Sequence, residues 1–135
     1  MRIPRLKKIR LKDPLYQSDI VVLVGGDTAS LRRYLHRKHG SEVRTYNKNT
    51  PCDEEIGIGE DSGGLQFHVK RPQETFYIWV AIKDIDTMWH EVYHLTHDIL
   101  FARGIIYSDS AEDAFAYFGG ALFAQIYKKL FMRSQ

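Results

Sequence analysis

The sequence predicts a single α+β domain in which three helices pack on a small, twisted, mixed sheet of three or four strands. Three observations predict it. Short, β-branched apolar runs lie on both sides of a central polar stretch, one helical segment follows the first run, and two longer helical segments close the chain. A chain of 135 residues is long enough for one compact core and too short for two ordinary domains. We therefore expect one domain over residues 1–135.

The first fourteen residues form a basic arm. Its cations are Arg2, Arg5, Lys7, Lys8, Arg10 and Lys12. Because only scattered Ile and Leu residues lie between them, the arm lacks the continuous apolar core of a signal peptide, and we expect a cytoplasmic protein. We expect the arm to be solvated and partly ordered. Nucleic-acid or partner binding through the arm is the less favoured alternative, which charge alone does not exclude.

The next segment predicts a buried strand and a first helix. The strand covers Ile20–Val24, a β-branched apolar run that ends in two glycines. Asp27 or Thr28 can cap the helix, which continues to about His39. A solvated surface explains the outward-facing cations of this helix better than a binding patch does; they are Arg32, Arg33, Arg37 and Lys38.

The middle of the chain predicts a long loop followed by a β-hairpin. Polar and glycine-rich sequence over Ser41–Gly64 indicates the loop, with a short strand near Glu42–Tyr46. Two apolar alternating segments, Leu65–Lys70 and Phe76–Ile82, are separated by five residues, a connection of hairpin length. These strands should pair antiparallel. The second could also present an edge to which an extended peptide adds as another strand.

Two helices complete the predicted fold. Asp84, Asp86 or Thr87 can cap the first, which continues to about Arg103 and stops at a glycine. The last helix begins after residues 108–110 and continues to about residue 131. No apolar stretch is long enough to span a membrane. Because Cys52 is the only cysteine, any metal must be held by histidines and carboxylates.

A metal-binding motif lies on the first of these two helices. His90-Glu91-Val92-Tyr93-His94 has the H-E-x-x-H form. Residues four apart lie on one face of a helix, so His90 and His94 can bind a single Zn²⁺. Glu91 lies about 100° around the axis, where it can reach water activated by the metal. A catalytic zinc site normally has a third protein ligand.

The acidic candidates for that ligand are Asp98, Asp109, Glu112 and Asp113. His97 is a further candidate, but it lies about 10 Å beyond His90 along a straight helix, so we interpret it as a supporting or surface residue. The pattern from Ser110 to Asp113 resembles a capping box, which gives Asp113 a structural role. Glu112 shares a helix face with apolar residues, and we favour it as the ligand. The alternative is an ordinary first-turn acid interacting with the helix dipole.

With Glu112 eighteen residues after His94, the pattern resembles the gluzincin arrangement. From Leu65 to Lys129 the chain is most similar to small metallopeptidase-like proteins encoded by phages and prophages, and more distantly to phage anti-repressor proteases. The resemblance implies a minimal zincin-like fold in which His90, His94 and Glu112 bind one Zn²⁺ and Glu91 is the general base. It also implies a bacterial or phage-infected cytoplasm.

The sequence therefore predicts a zinc metallopeptidase-like protein acting on a protein or peptide substrate. The alternative is a catalytically idle, zinc-stabilised structural or interaction protein of phage origin. Peptide hydrolysis also needs a hydrogen-bond donor for the negatively charged oxygen of the transition state. Four side chains could supply it: His97, Tyr93, Tyr107 and Tyr117. The default role of each tyrosine is core packing.

Overall fold

The computed structural model describes residues 5–39, 44–45, 55–56, 63–70 and 73–132, and it has the predicted α+β architecture. Three helices pack on a mixed four-stranded sheet. The helices are α1 (Thr28–His39), α2 (Ile85–Ala102) and α3 (Glu112–Phe131), with a 3₁₀ turn at Asp109–Ala111. The strands are β1 (Lys7–Lys12), β2 (Asp19–Val24), β3 (Arg44–Thr45), β4 (Glu55–Ile56), β5 (Gly64–Val69) and β6 (Thr75–Val80). No helix in these ranges is long and apolar enough to cross a membrane.

The strand order in the main sheet is β1-β2-β6-β5. β5 and β6 form the predicted antiparallel hairpin, β2 and β6 are parallel, and β1 is antiparallel to β2. The expectation that the strand preceding the motif helix offers a free edge is wrong, because β6 is paired on both sides. The edge on that side of the sheet is β5. β3 and β4 form a separate parallel pair, and the other residues of the predicted strand near Glu42–Tyr46 lie outside the described residues.

Part of the basic arm is an edge strand, which the sequence analysis did not predict. β1 alternates cations with apolar residues, and Leu11 is buried in the core. The turn into β2 is organised by Asp13, whose buried carboxylate accepts hydrogen bonds from the backbone N–H groups of Leu15 and Ser18, each at 2.8 Å. Burial acts to raise the pKa of Asp13, but these hydrogen bonds outweigh it and hold the pKa below its usual value.

The sheet carries a hydrophobic core on each face. Side chains alternate along β6, so Tyr77 and Trp79 face α1, whereas Phe76, Ile78 and Val80 face α2 and α3. β2 divides its residues in the same way. α1 therefore covers one face of the sheet, and the two longer helices cover the other.

Two of the predicted helix starts are confirmed and one is wrong. Asp27 accepts a hydrogen bond from the backbone N–H of Ser30 at 2.8 Å, and Asp84 is the N-cap of α2 and accepts from Thr87 N at 3.0 Å. α3 begins differently: its N-cap is Ala111, and no side chain caps it. The predicted capping box is therefore absent, because the preceding residues continue as a 3₁₀ turn that occupies the cap position of Ser110.

α2 and α3 approach closely at one glycine. A Cβ on Gly119 would lie 3.1 Å from Thr96 Oγ1, whereas a Cβ on Gly120 would meet nothing within 4 Å in the described structure. Thr96 Oγ1 donates a hydrogen bond to the carbonyl of Val92 at 2.9 Å, which fixes the side chain against α3. Close contact of the two helices thus depends on Gly119.

Candidate metal centre

His90 and His94 lie together on the exposed side of α2. Their Nε2 atoms are 3.2 Å apart, and their ring planes are inclined by 78°. Two histidines that bind one tetrahedral Zn²⁺ at 2.0–2.1 Å would hold their nitrogens about 3.3–3.4 Å apart. The pair therefore fits a shared zinc ion. Without an ion, the same separation suits a hydrogen bond in which one Nε2 donates to the other.

Glu91 lies beside the histidines but faces the sheet. It is only 6% exposed, and among the described residues its carboxylate accepts no hydrogen bond. Burial raises the pKa of Glu91, and the positive charges of His90 and His94 act against that increase. A buried carboxylate with few partners is a strong proton acceptor, and a metal ion or a water molecule would compensate its charge.

The start of β5 provides the space that Glu91 occupies. An open hollow beside α2 is lined by Gly63, Gly64, Asp86, Thr87, His90 and Glu91. The first residue of β5 is a glycine that lies directly against Glu91. The edge strand, the buried carboxylate and one histidine thus meet at a single surface. The sequence analysis missed Gly64; the available signal was the Gly63-Gly64 pair just before an apolar alternating segment.

Glu112 lies in a different hollow from the histidine pair. It is exposed, and it lines a groove of about 330 Å³ between α2 and α3 together with Trp89, Tyr93, His97 and Phe115. Among the residues that the structure describes, no three His, Cys, Asp or Glu side chains are grouped so that they could hold a metal ion. The structure thus brings His90 and His94 together and does not bring Glu112 to them.

The other residues proposed for the site lie around the same groove or away from it. The ring centroids of Tyr93 and His97 are 4.6 Å apart, and those of His97 and Tyr107 are 5.5 Å apart. Tyr117 does not line this groove. The default expectation that these tyrosines pack in the core is wrong, because Tyr93 is 53%, Tyr107 50% and Tyr117 80% exposed. Tyr93 also contacts the ring of His94, so it is the nearest of these candidates to the histidine pair.

Comparisons with known proteins add no family to this description. No protein-family model, curated protein or solved structure matches the chain. The functional argument accordingly depends on the geometry of His90, Glu91 and His94 and on the surfaces beside them.

Proposed function

We propose that this chain is a zinc-dependent metallopeptidase that acts on a protein or peptide substrate in the cytoplasm of a bacterial or phage-infected cell. The observation that supports it most directly is the 3.2 Å separation of the His90 and His94 Nε2 atoms. The buried Glu91 carboxylate beside them adds a proton acceptor that a purely structural metal site does not need. The lone Cys52 is compatible with a reducing compartment.

Each residue of the motif has a distinct role in this proposal. His90 and His94 hold the ion through Nε2. Glu91 accepts a proton from the attacking water and returns it to the leaving amine, a task favoured by the burial that raises its pKa. When bound, Zn²⁺ supplies Lewis acidity, which activates water and polarises a peptide carbonyl.

We further propose Glu112 as the third ligand, reached by a shift of the first turn of α3. That turn has no side-chain cap, and Glu112 is exposed, so little structure holds the carboxylate in its present position. The movement is limited by Phe115, which is buried against His97 and Tyr107 at the end of this turn, and by the contact of Gly119 with Thr96 about two turns beyond Glu112.

The substrate would lie along β5. Among the described residues β5 pairs only with β6, so its outer N–H and C=O groups can accept an extended peptide as an additional strand. Gly64 places the start of this strand against Glu91. A peptide added here would pass close to the general base.

One observation favours the alternative of a catalytically idle, zinc-stabilised structural or interaction protein. Glu112 is not grouped with the two histidines, and turnover requires a complete and rigid ligand set. The two functions differ in what they require of Glu91. Only the peptidase needs its proton-transfer chemistry.

The test compares wild type with Glu91→Gln and with the control Asp86→Asn, an exposed acid that lines the same hollow. Metal content is measured by elemental analysis, and peptide cleavage is measured by proteome-wide mapping of new N-termini. We expect one zinc per chain in all three proteins, and cleavage by wild type and Asp86→Asn only. Zinc in every protein with no cleavage by any would establish the idle alternative. Wild type without zinc would refute both.

A further inference from the structure

Two basic segments that are separate in the sequence meet on the α1 side of the sheet. A hollow of about 420 Å³ between β1 and α1 is lined by four cations, together with Ser30 and Tyr34. A second hollow of about 320 Å³ is lined by Arg10 and Lys38, among other residues. We call the combined surface the basic cleft. Its cations are Arg5, Lys8, Arg10, Arg33, Arg37 and Lys38.

The cations of the basic cleft repel one another. Desolvation is the largest cause of a lowered Lys8 pKa, and the charges of Arg10 and Lys38 lower it further. The ion pairs found among the described residues do not include any cation of the cleft. Two acids offset this repulsion only in part: Asp19 forms its ion pair with Lys12 at 3.0 Å and attracts Arg10 less strongly, and the exposed Asp27 attracts Arg33 without forming an ion pair. An external anion would therefore relieve a repulsion that the described part of the protein leaves in place.

The spacing of the cations fits an extended polyanion better than a single phosphate. Lys8 and Arg10 are two residues apart on one side of β1, which separates them by about 7 Å. Arg33 and Arg37 lie on successive turns of α1, about 6 Å apart along its axis. The two rows of cations, one on β1 and one on α1, extend over a larger area than one phosphate group can contact. A nucleic-acid backbone presents such a repeated negative charge.

The cleft offers charge without an exposed aromatic ring on which a base could stack. Tyr34, the aromatic residue that lines the first hollow, is only 9% exposed, and Tyr77 in the second is 1% exposed. Neither ring can stack on a base, and stacking is the usual contact in single-strand binding. The cleft is therefore suited to contacts with the backbone of a duplex.

We propose that the basic cleft binds the phosphate backbone of a nucleic-acid duplex. The partner lies on the α1 face of the sheet, and the His90 and His94 pair lies on the α2 face. Duplex binding is thus independent of zinc binding and of peptide cleavage. The sequence alone favoured a solvated surface for these cations because it does not show that β1 and α1 are neighbours.

The test uses a fluorescein-labelled DNA duplex of about 20 base pairs and follows anisotropy between about 50 and 200 mM salt. The variant is Arg33→Gln with Arg37→Gln. The matched control is Lys128→Gln with Lys129→Gln, which removes the same charge from two exposed positions near the end of α3. Vesicles that contain phosphatidylserine form a separate arm. Circular dichroism and thermal unfolding verify that both variants fold, and their zinc content is measured as well.

We expect wild type to bind the duplex with a steep salt dependence. The Arg33 and Arg37 variant should bind at least about tenfold more weakly, and its salt slope should fall by about 1.8 because two phosphate contacts are lost. The lysine control should bind as wild type does, and zinc content should not change. Absence of duplex binding at low salt, or an equal loss in both variants, would overturn the proposal. Binding to the vesicles but not to the duplex would overturn it in favour of a membrane surface.

Discussion

Glu91 occupies the space that a side chain on Gly64 would require. A Cβ on Gly64 would lie 2.9 Å from Glu91 Oε2 and 2.9 Å from Thr87 Cγ2. Thr87 cannot move freely, because its Oγ1 donates to the Asp84 carboxylate at 2.8 Å and its Cβ is branched. The glycine at the start of the edge strand and the buried carboxylate of the motif are therefore one packed unit.

Gly64→Ala should displace Glu91. Overpacking of this kind costs about 1–3 kcal/mol of unfolding free energy. If Glu91 is the general base, its displacement should also lower peptide turnover by about 100-fold. Gly63→Ala is the matched control, because a Cβ there meets nothing within 4 Å in the described structure. Urea unfolding and peptide hydrolysis measure the two effects. Equal behaviour of the two variants would contradict the packing argument.

A second pair of adjacent glycines tests the contact between α2 and α3. Gly120→Ala should stabilise the protein by about 0.5–1 kcal/mol, because alanine favours a helix and its Cβ has open space. Gly119→Ala gains the same helix propensity but pushes against Thr96, whose hydroxyl is already bonded to Val92. We expect it to be less stable than Gly120→Ala by about 1–3 kcal/mol in urea unfolding. The reverse order would show that the helices separate easily here.

Glu112 and Asp113 allow a matched test of the third ligand, since both are exposed first-turn acids of α3. Glu112→Ala should lower zinc affinity by about 100-fold, whereas Asp113→Ala should leave it unchanged. Zinc affinity is measured by competition with a chromophoric chelator. Comparable zinc binding by both variants and wild type would remove Glu112 from the site but leave the two histidines in it.

Asp13 should make stability depend on acid pH. Its hydrogen bonds lower its folded-state pKa, so the carboxylate stabilises the fold above the unfolded value of about 3.9, and this contribution is lost as the pH falls through the folded value. At neutral pH, Asp13→Asn should lose about 1–3 kcal/mol, because an amide cannot accept every backbone N–H bond. Urea unfolding should show the difference from wild type narrowing below about pH 4. A constant difference would mean that the charge of Asp13 is unimportant.

The elements with local causes were predictable from the sequence. Asp27 and Asp84 cap helices through hydrogen bonds within three residues, and the apolar run before Gly25 has a strand pattern in any context. The close approach of the His90 and His94 rings was also predictable, because residues four apart lie on the same face of one helix.

The features that the sequence did not predict correctly depend on contacts between residues far apart in the chain. β1 was missed because its cations conceal the alternation of Ile9 and Leu11. The free edge was assigned to the wrong strand of the hairpin because pairing between β2 and β6 decides which strand is internal. The position of Glu112 depends on where α3 begins and on how α3 crosses α2. The capping pattern predicted the wrong N-cap, Ser110 instead of Ala111.

The parallel pairing of β2 with β6 also has a consequence for folding kinetics. Ile20 lies opposite Phe76, so this pairing closes a loop of about 55 residues, whereas the two hairpins and the α2–α3 pair close much shorter ones. The central pair brings together the cores of both sheet faces. We expect its formation to limit the rate of refolding and the amides of β6 to be among the slowest to exchange. The second hollow of the basic cleft, which takes Arg10 and Lys38 from one half of the chain and Thr75 and Tyr77 from the other, can then form only after the two halves have joined.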